Sequence, residues 1–256
     1  MPNAPLQHEP ALDNADWPPA LEIVNEGGRS PIVLICEHAS NHMPAEYGGL
    51  GLGPVDLGRH IAWDVGAAEV TRHLARLLDA PAFLAGYSRL LIDLNRPLRA
   101  PSSIPAVSEA TVIPGNLDLD PAERERREAV MFHPFHQSVA RFLDARQERG
   151  EGSVIVAIHS YTPVFHGKPR PWHAGVLFAQ AAPMGRKVIE ALRSAASGLL
   201  VEANVPYVID GNDYAIPVHG DQRGNPAVLI EIRNDLIATP DGAERWAGYL
   251  AGAFSA

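Results

Sequence analysis

Two runs of β-branched and aliphatic residues each drive straight into a histidine. They are Ile32-Val33-Leu34-Ile35-Cys36-Glu37-His38 and Val154-Ile155-Val156-Ala157-Ile158-His159. A third run, Val228-Leu229-Ile230, delivers Glu231 instead. Continuous apolar runs of this kind predict strands buried on both faces, as in a parallel sheet covered by helices. The expected fold class is therefore α/β, with a mixed, mainly parallel sheet and helices on both faces. Open sheets of this type take ligands beyond the carboxyl ends of their strands. Two imidazoles and a carboxylate brought to that edge could form a zinc-hydrolase site.

The chain has 256 residues, 46% of them apolar and 20% charged, enough core for one large α/β domain. A net charge of -9 argues against binding a nucleic-acid backbone, which needs clustered Lys and Arg. Cys36 is the single cysteine, so neither an intramolecular disulfide nor a Cys-based zinc finger is available. No secretory signal and no stretch near the ~20 apolar residues of a membrane span are visible, which makes no membrane partner and a cytoplasmic location the default.

Residues 1–29 read as a loose N-terminal arm and 30–256 as a single domain, with no internal linker. Val55 to Leu78 has helical spacing, with Ile61, Val65, Ala68, Leu74, Leu77 and Leu78 on one face. Ala82–Ala85 and Leu90–Leu94 read as strands, and 97–114 as a long ordered loop suited to a lid. Asp120-Pro121-Ala122-Glu123 is a helix start, and that helix should run to Arg149 and stop at Gly150. A loop over 162–171, a strand over 175–179, a helix over 184–200, a strand over 228–232 and a closing helix over 246–254 complete the expectation.

A catalytic zinc typically has three protein ligands and a water. His38 and His159 are the expected histidines, and a carboxylate should complete the set. Glu37, Asp64 and Asp93 are the candidates. Glu37 should point away from His38 in an extended strand, which counts against it. Asp64, after the first strand, could turn back toward the edge and is taken as the third ligand. Glu231 sits in an apolar strand, where an unpaired carboxylate is costly. Either a salt bridge to an arginine such as Arg233 explains it, or it is a general base for an activated water, and the second reading is favoured.

Arg89, Asn95 and Arg96 flank the Leu90–Leu94 run and are candidates for substrate contact, because a guanidinium fork suits a carboxylate. Asp93 could instead hold one of these arginines in a structural pair. His133-Pro134-Phe135-His136 places a proline mid-helix, where a kink could aim His136 inward. His219, in Ile216-Pro217-Val218-His219-Gly220, could bind substrate or polarise a carbonyl.

These segments together resemble the N-formylglutamate amidohydrolase family. The matching pieces are CEHASNHMP at 36–44, AWD at 62–64, YSRLLIDLNRP at 87–97, HPFH at 133–136, AIHS at 157–160 and VLIEIRNDL at 228–236. The resemblance implies a fold related to the zinc carboxypeptidases and the aspartoacylase-like deacylases. It also implies one zinc ion (or another divalent metal) on two His and a carboxylate, a Glu base, and Arg anchors for a substrate carboxylate. By position, His38 and His159 look like ligands, Glu231 like the base, and Arg89 and Arg96 like the anchors. Asn41 stands where carboxypeptidase relatives carry a ligand Glu three residues after the first His, so Asp64 is the substitute. The first motif also departs from the proline-histidine-serine/threonine-glycine form, which points to a sister branch acting on another N-acyl amino acid.

The expected reaction is metal-assisted hydrolysis of a small N-acyl amino acid such as N-formylglutamate, with His219 and His136 at the oxyanion. The rivals are a zinc carboxypeptidase, a peptidoglycan-type amidase, and a non-catalytic binding protein for acidic amino acids.

Overall fold

A computed structural model of the chain describes residues 16–255. The N-terminal arm expected over 1–29 lies outside the described residues up to 15, and from Asp16 onward it belongs to the body. Leu21–Val24 forms β1, an edge strand antiparallel to β3, Ala82–Ala85. The three apolar runs are β2 (Ile32–Cys36), β6 (Val154–Tyr161) and β11 (Ala227–Arg233). With β9 (Ala174–Leu177) and β10 (Val201–Ala203) they complete a seven-stranded sheet of order β1-β3-β2-β6-β11-β9-β10. Neighbours from β3 through β11 run parallel, β9 is antiparallel to β11, and β10 is parallel to β9. The mixed, mainly parallel sheet expected from the apolar runs is the one observed.

Alternation of side chains along each strand divides the core into two. Leu34, Cys36, Val156, Ile158, Val228 and Ile230 pack against α2 (Ala67–Leu77), α5 (Ala182–Ala195) and α6 (Pro240–Ser255). Val33, Ile35, Ile155, Ala157 and Leu229 face the opposite layer, where α4 (His133–Glu148) contributes Phe135, Val139 and Leu143. Burying each such Leu, Ile or Phe stabilises the fold by about 1.5–3 kcal/mol, so both faces must be covered for the central strands to form.

Several expected elements change form. The single helix expected from Val55 to Leu78 is two: α1 (Pro54–Leu57) and α2, separated by turns. Gly66 enters α2 with φ of 82°, and Asp64 donates its backbone N–H to the His38 carbonyl at 2.9 Å, which draws the intervening chain to the sheet edge. The helix after Asp120 runs as α3 (Pro121–Arg127), one π-helical turn (Glu128–Phe132) and α4. Pro134 has no N–H for the usual ladder, and the His133 N–H reaches back five residues to Glu128 O, so the π turn absorbs the proline.

Leu90–Leu94 is not a strand. It is a buried run of turns whose carbonyls are taken by side chains from elsewhere in the chain. Asn116 Nδ2 donates to Leu90 O at 2.8 Å, Arg127 Nη1 to Leu91 O at 3.0 Å, and His136 Nε2 to Leu94 O at 2.8 Å. Buried backbone groups must find partners, and here they find them outside any ladder. The loop over 97–114 carries a short hairpin, β4 (Val107–Ser108) and β5 (Thr111–Val112); a second, β7 (Val164–Phe165) and β8 (Lys168–Pro169), lies in the loop after β6. Among the described residues, no helix is long and apolar enough to cross a membrane.

A Cβ on Gly66 would lie 2.2 Å from Ile237 O, in a backbone conformation that L residues avoid. Gly66→Ala should therefore destabilise the protein by about 2–5 kcal/mol, combining the left-handed penalty with overpacking. Urea denaturation of the variant checks this, and an unchanged midpoint would refute the close approach.

Candidate metal centre

The strand registers assemble the centre. His159 in β6 lies opposite Glu231 in β11, and Ile35 in β2 lies opposite Ala157 in β6. Two residues further on, Glu37 therefore falls on the same sheet face as His159. Glu37 and His38 both lie in the turn after β2, not in an extended strand, and Glu37 is a partner of the other histidine. His38 lies in the turn past the end of β2, and that turn brings its ring within 4.8 Å of the His159 ring, nearly perpendicular at 82°.

Asp64 joins the two rings. Its Oδ2 lies 2.9 Å from His159 Nδ1 and 3.4 Å from His38 Nδ1, and it accepts the Ser160 backbone N–H at 3.1 Å. The far side of each ring meets another carboxylate: His159 Nε2 is 3.0 Å from Glu37 Oε2, and His38 Nε2 is 2.7 Å from Asp93 Oδ1. Arg89 then closes the set, donating from Nε and Nη2 to Asp93 Oδ2 at 3.1 and 2.6 Å and from Nη1 to Asp64 Oδ1 at 3.3 Å. The five acidic and imidazole side chains of this linked set, Glu37, His38, Asp64, Asp93 and His159, are all buried.

Alternating charge makes that burial tolerable. Burial alone would lower the His159 pKa, but Glu37 and Asp64 hold it well above the ordinary value. Burial would raise Asp64, Glu37 and Asp93, yet the imidazoles, and for Asp93 chiefly Arg89, hold each of them below it. Glu231 is the exception. Burial pushes its carboxyl up to about 8 against the opposing pull of His159, and its Oε2 is buried with no hydrogen-bond partner among the described residues. The expected alternative, a salt bridge to Arg233, is not formed: Arg233 pairs with Asp235 at 2.8 Å.

His38, Asp64 and His159 each offer one ligand atom, and these atoms lie within 4.8 Å of one another. Two ring nitrogens and one carboxylate oxygen are a donor set that suits zinc with a position left open. Carboxylates behind both Nε2 atoms fix the hydrogen there and leave the Nδ1 lone pairs for a metal. The residues present thus fit a divalent ion. Asn41 takes no part: its Nδ2 donates to Leu57 O at 3.0 Å.

The centre opens into a cavity of about 490 Å³, the size of a small-molecule site. Glu231, Arg89, Asn95 and Arg96 line it along with the three ligand candidates. Asn95 Oδ1 accepts the N–H groups of Tyr214 and Ala215 at 3.1 and 3.0 Å, so this side chain holds the wall. Arg96 Nη1 donates to Asp213 Oδ1 at 3.1 Å. Arg89 is the arginine held in a structural pair by Asp93.

Three expectations fall elsewhere. His136 and His219 do not line the cavity; they form a buried pair, Nδ1 of His136 3.0 Å from Nε2 of His219, beneath the same sheet face. Packing of α4 and of the turn Ile216–Gly220 against the core turns both rings away from the opening. The 97–114 segment contributes no lining residue and is not a lid over the centre. Its Glu109 is tied to Arg59 Nη2 at 2.8 Å, and the wall comes from 204–213 instead. Glu37 and Asp93, set aside as ligands, turn out to back the two histidines. The two-residue alternation from Ile35 was the signal that could have placed Glu37.

The sequence profile of the N-formylglutamate amidohydrolase family matches residues 30–238. The chain belongs to this family. It is similar to gene product Atu2144 of Agrobacterium tumefaciens, at 38% identity and a TM-score of 0.88 over 93% of this chain and 95% of that one. An N-formylglutamate amidohydrolase from Ralstonia eutropha JMP134 shares the fold, with 17% identity and a TM-score of 0.68 over 92% and 97%. No protein of curated function matches the chain. Membership of the N-formylglutamate amidohydrolase family makes the chain an amidohydrolase acting on a small molecule.

The Glu231 pKa sets a measurable trend in the metal-free protein. A carboxyl raised in the folded state binds more protons there, so stability is lost as pH rises from about 4 through about 8. Glu231→Gln removes that loss, worth at most about 5 kcal/mol at about 1.4 kcal/mol per unit. Urea denaturation of chelated protein should show a gain at pH 8.5 well above that at pH 5; equal gains would refute burial as the cause.

Proposed function

We propose that the chain is a zinc-dependent amidohydrolase that cleaves the amide bond of a small N-acyl amino acid, such as N-formylglutamate. The observation that carries this reading is the unpartnered carboxylate of Glu231 lying beside the His38, Asp64 and His159 donor set. Held by those three residues, a zinc ion would polarise the substrate's scissile carbonyl and lower the pKa of the attacking water. Glu231, with a free oxygen and a raised pKa, accepts the attacking water's proton and passes it to the leaving nitrogen. Arg96 is the better of the two arginine anchors. Among the described residues its Nε and Nη2 have no hydrogen-bond partner, whereas all three Arg89 nitrogens donate to Asp93 or Asp64. A carboxylate held on that free side of Arg96 would orient the scissile carbonyl toward the ligand set. The cavity volume suits a substrate of this size, in place of the lid expected for that purpose.

Three results test this. Chelation should abolish hydrolysis of N-formylglutamate or of another member of an N-acyl amino acid panel, and zinc should restore it; unchanged turnover after verified metal removal would sink the mechanism. Glu231→Gln should lower kcat by about 10²–10⁴ while zinc content is retained. Arg96→Leu should act mainly on KM for substrates with a free carboxylate, and an equal effect on an esterified analogue would remove Arg96 as the anchor. Binding of N-acyl amino acids with no turnover by any panel member would favour the binding-protein reading.

A further inference from the structure

The cavity has two unlike ends, and strand order sets where each lies. Glu231 in β11 has His159 of β6 opposite it on one side and Gly175 of β9 on the other. Gly175 presents no side chain beside Glu231. A Cβ there would collide with Val205 O, so the glycine is what lets the chain over 204–213 cross the sheet at this point. Two residues along each strand, on the same face, Leu177 of β9 and Leu229 of β11 stand opposite each other. Both line the cavity, together with Pro206 and Val208 of the crossing chain.

That crossing chain is fastened along its length. At β9 the Asn204 N–H donates to Val176 O at 3.0 Å, and Asn204 Oδ1 accepts the Phe178 N–H at 3.0 Å. Midway, the Tyr207 hydroxyl accepts from Arg170 Nη1 at 3.0 Å, with the guanidinium 5.0 Å from the ring centre. At the far end Asp213 Oδ1 accepts from Arg96 Nη1 at 3.1 Å. The lining changes character on the way: Pro206 and Val208 are apolar, whereas Asp210, Asn212 and Asp213 are polar. Asp93, which backs His38 past the end of β2, lies in the same segment as Arg96. The polar end therefore lies toward β2 and the apolar corner toward β9, with the donor set and Glu231 between them.

An N-acyl amino acid is also unlike at its two ends, with the scissile carbonyl between a carboxylate-bearing half and an acyl half. A carboxylate on Arg96 sends the acyl half past Glu231 into the apolar corner. A formyl group has only a hydrogen on its carbonyl carbon and would leave Leu177 and Leu229 facing water. An alkyl chain would cover them, and removing apolar surface from water is favourable. We propose that the acyl group of the substrate is an apolar chain longer than formyl, seated against Leu177, Leu229, Pro206 and Val208. This rests on the reading of the chain as an amidohydrolase with Arg96 as anchor, and extends it to the acyl half. The cavity has room for such a chain, since its volume of about 490 Å³ lies in the range that holds drug-sized ligands.

Hydrolysis of N-formyl-, N-acetyl-, N-butyryl- and N-hexanoylglutamate by the zinc-loaded enzyme tests this. From formyl to butyryl, kcat/KM should rise about fourfold for each methylene buried. A maximum at formyl with a fall at every added carbon would overturn the proposal and leave the amidohydrolase reading standing. Val208 is exposed, so Val208→Trp is a small burden on folding and should fill the corner. It should lower the butyryl-to-formyl ratio of kcat/KM by about tenfold or more. Leu177→Ala, which deepens the corner, should move the optimum to a longer chain; if that variant fails to fold, the wild-type profile and Val208→Trp decide. An unchanged butyryl-to-formyl ratio in Val208→Trp would overturn the proposal. So would a change confined to discrimination among N-formyl amino acids of different side chain, which would place the amino-acid half in the corner. If no substrate is turned over, the amidohydrolase reading fails, and calorimetric binding of the same four compounds decides separately: affinity rising with chain length supports the corner, and flat or falling affinity overturns it.

Discussion

The parallel pairing of β2, β6 and β11 is what the centre depends on. It sets Glu37, His159 and Glu231 side by side on one face of the sheet, and a shift of one residue would move all three into the opposite layer. The apolar residues of the same strands enforce that register from both faces, since each alternate position already belongs to one of the two cores. Burying an ion costs several kcal/mol, and the centre offsets it with an ordered series of opposite partners. Glu37, His159, Asp64, His38, Asp93 and Arg89 follow one another in contact, and Arg89 returns to Asp64. Glu231 stands next to this series without joining it, which is why its carboxyl alone among these acids is raised.

A second constraint holds the cavity wall. The chain from Ser88 to Arg96 carries Arg89, Asp93, Asn95 and Arg96 but has no strand to join. Asn116, Arg127 and His136 take its carbonyls, and Asn95 in turn takes the N–H groups of Tyr214 and Ala215. Leaving any one of those buried groups unpaired would cost about 1–3 kcal/mol, so these polar side chains replace a ladder. His136 is bonded on both sides. One ring nitrogen supports the wall and the other meets His219.

Much of this was legible in the residues. The long apolar runs marked the central strands, and their terminal His and Glu residues marked the site edge. The helix start at Asp120 was visible because its cap acts within two residues: Asp120 Oδ1 accepts the Ala122 N–H at 2.8 Å. Leu90–Leu94 misled for a plain reason. Its apolar pattern matches that of β2, and what distinguishes them is the set of partners, which lie far away in the chain. Arg89 likewise presented a fork suited to a substrate carboxylate, and only its contacts show that Asp93 and Asp64 occupy it.

Local pattern therefore determined the elements that depend on neighbouring residues: the buried strands, the caps, the α/β class and the histidines at the sheet edge. Tertiary structure decided which groups meet there. Asp64 rather than Asn41 joins the histidines because Gly66 and the bond to His38 O bring that turn to the edge. Glu37 supports His159 because two parallel strands align them across more than a hundred residues of chain. Such pairings arise from register and from the satisfaction of buried polar groups, and neither has a signature in the residues adjacent in sequence.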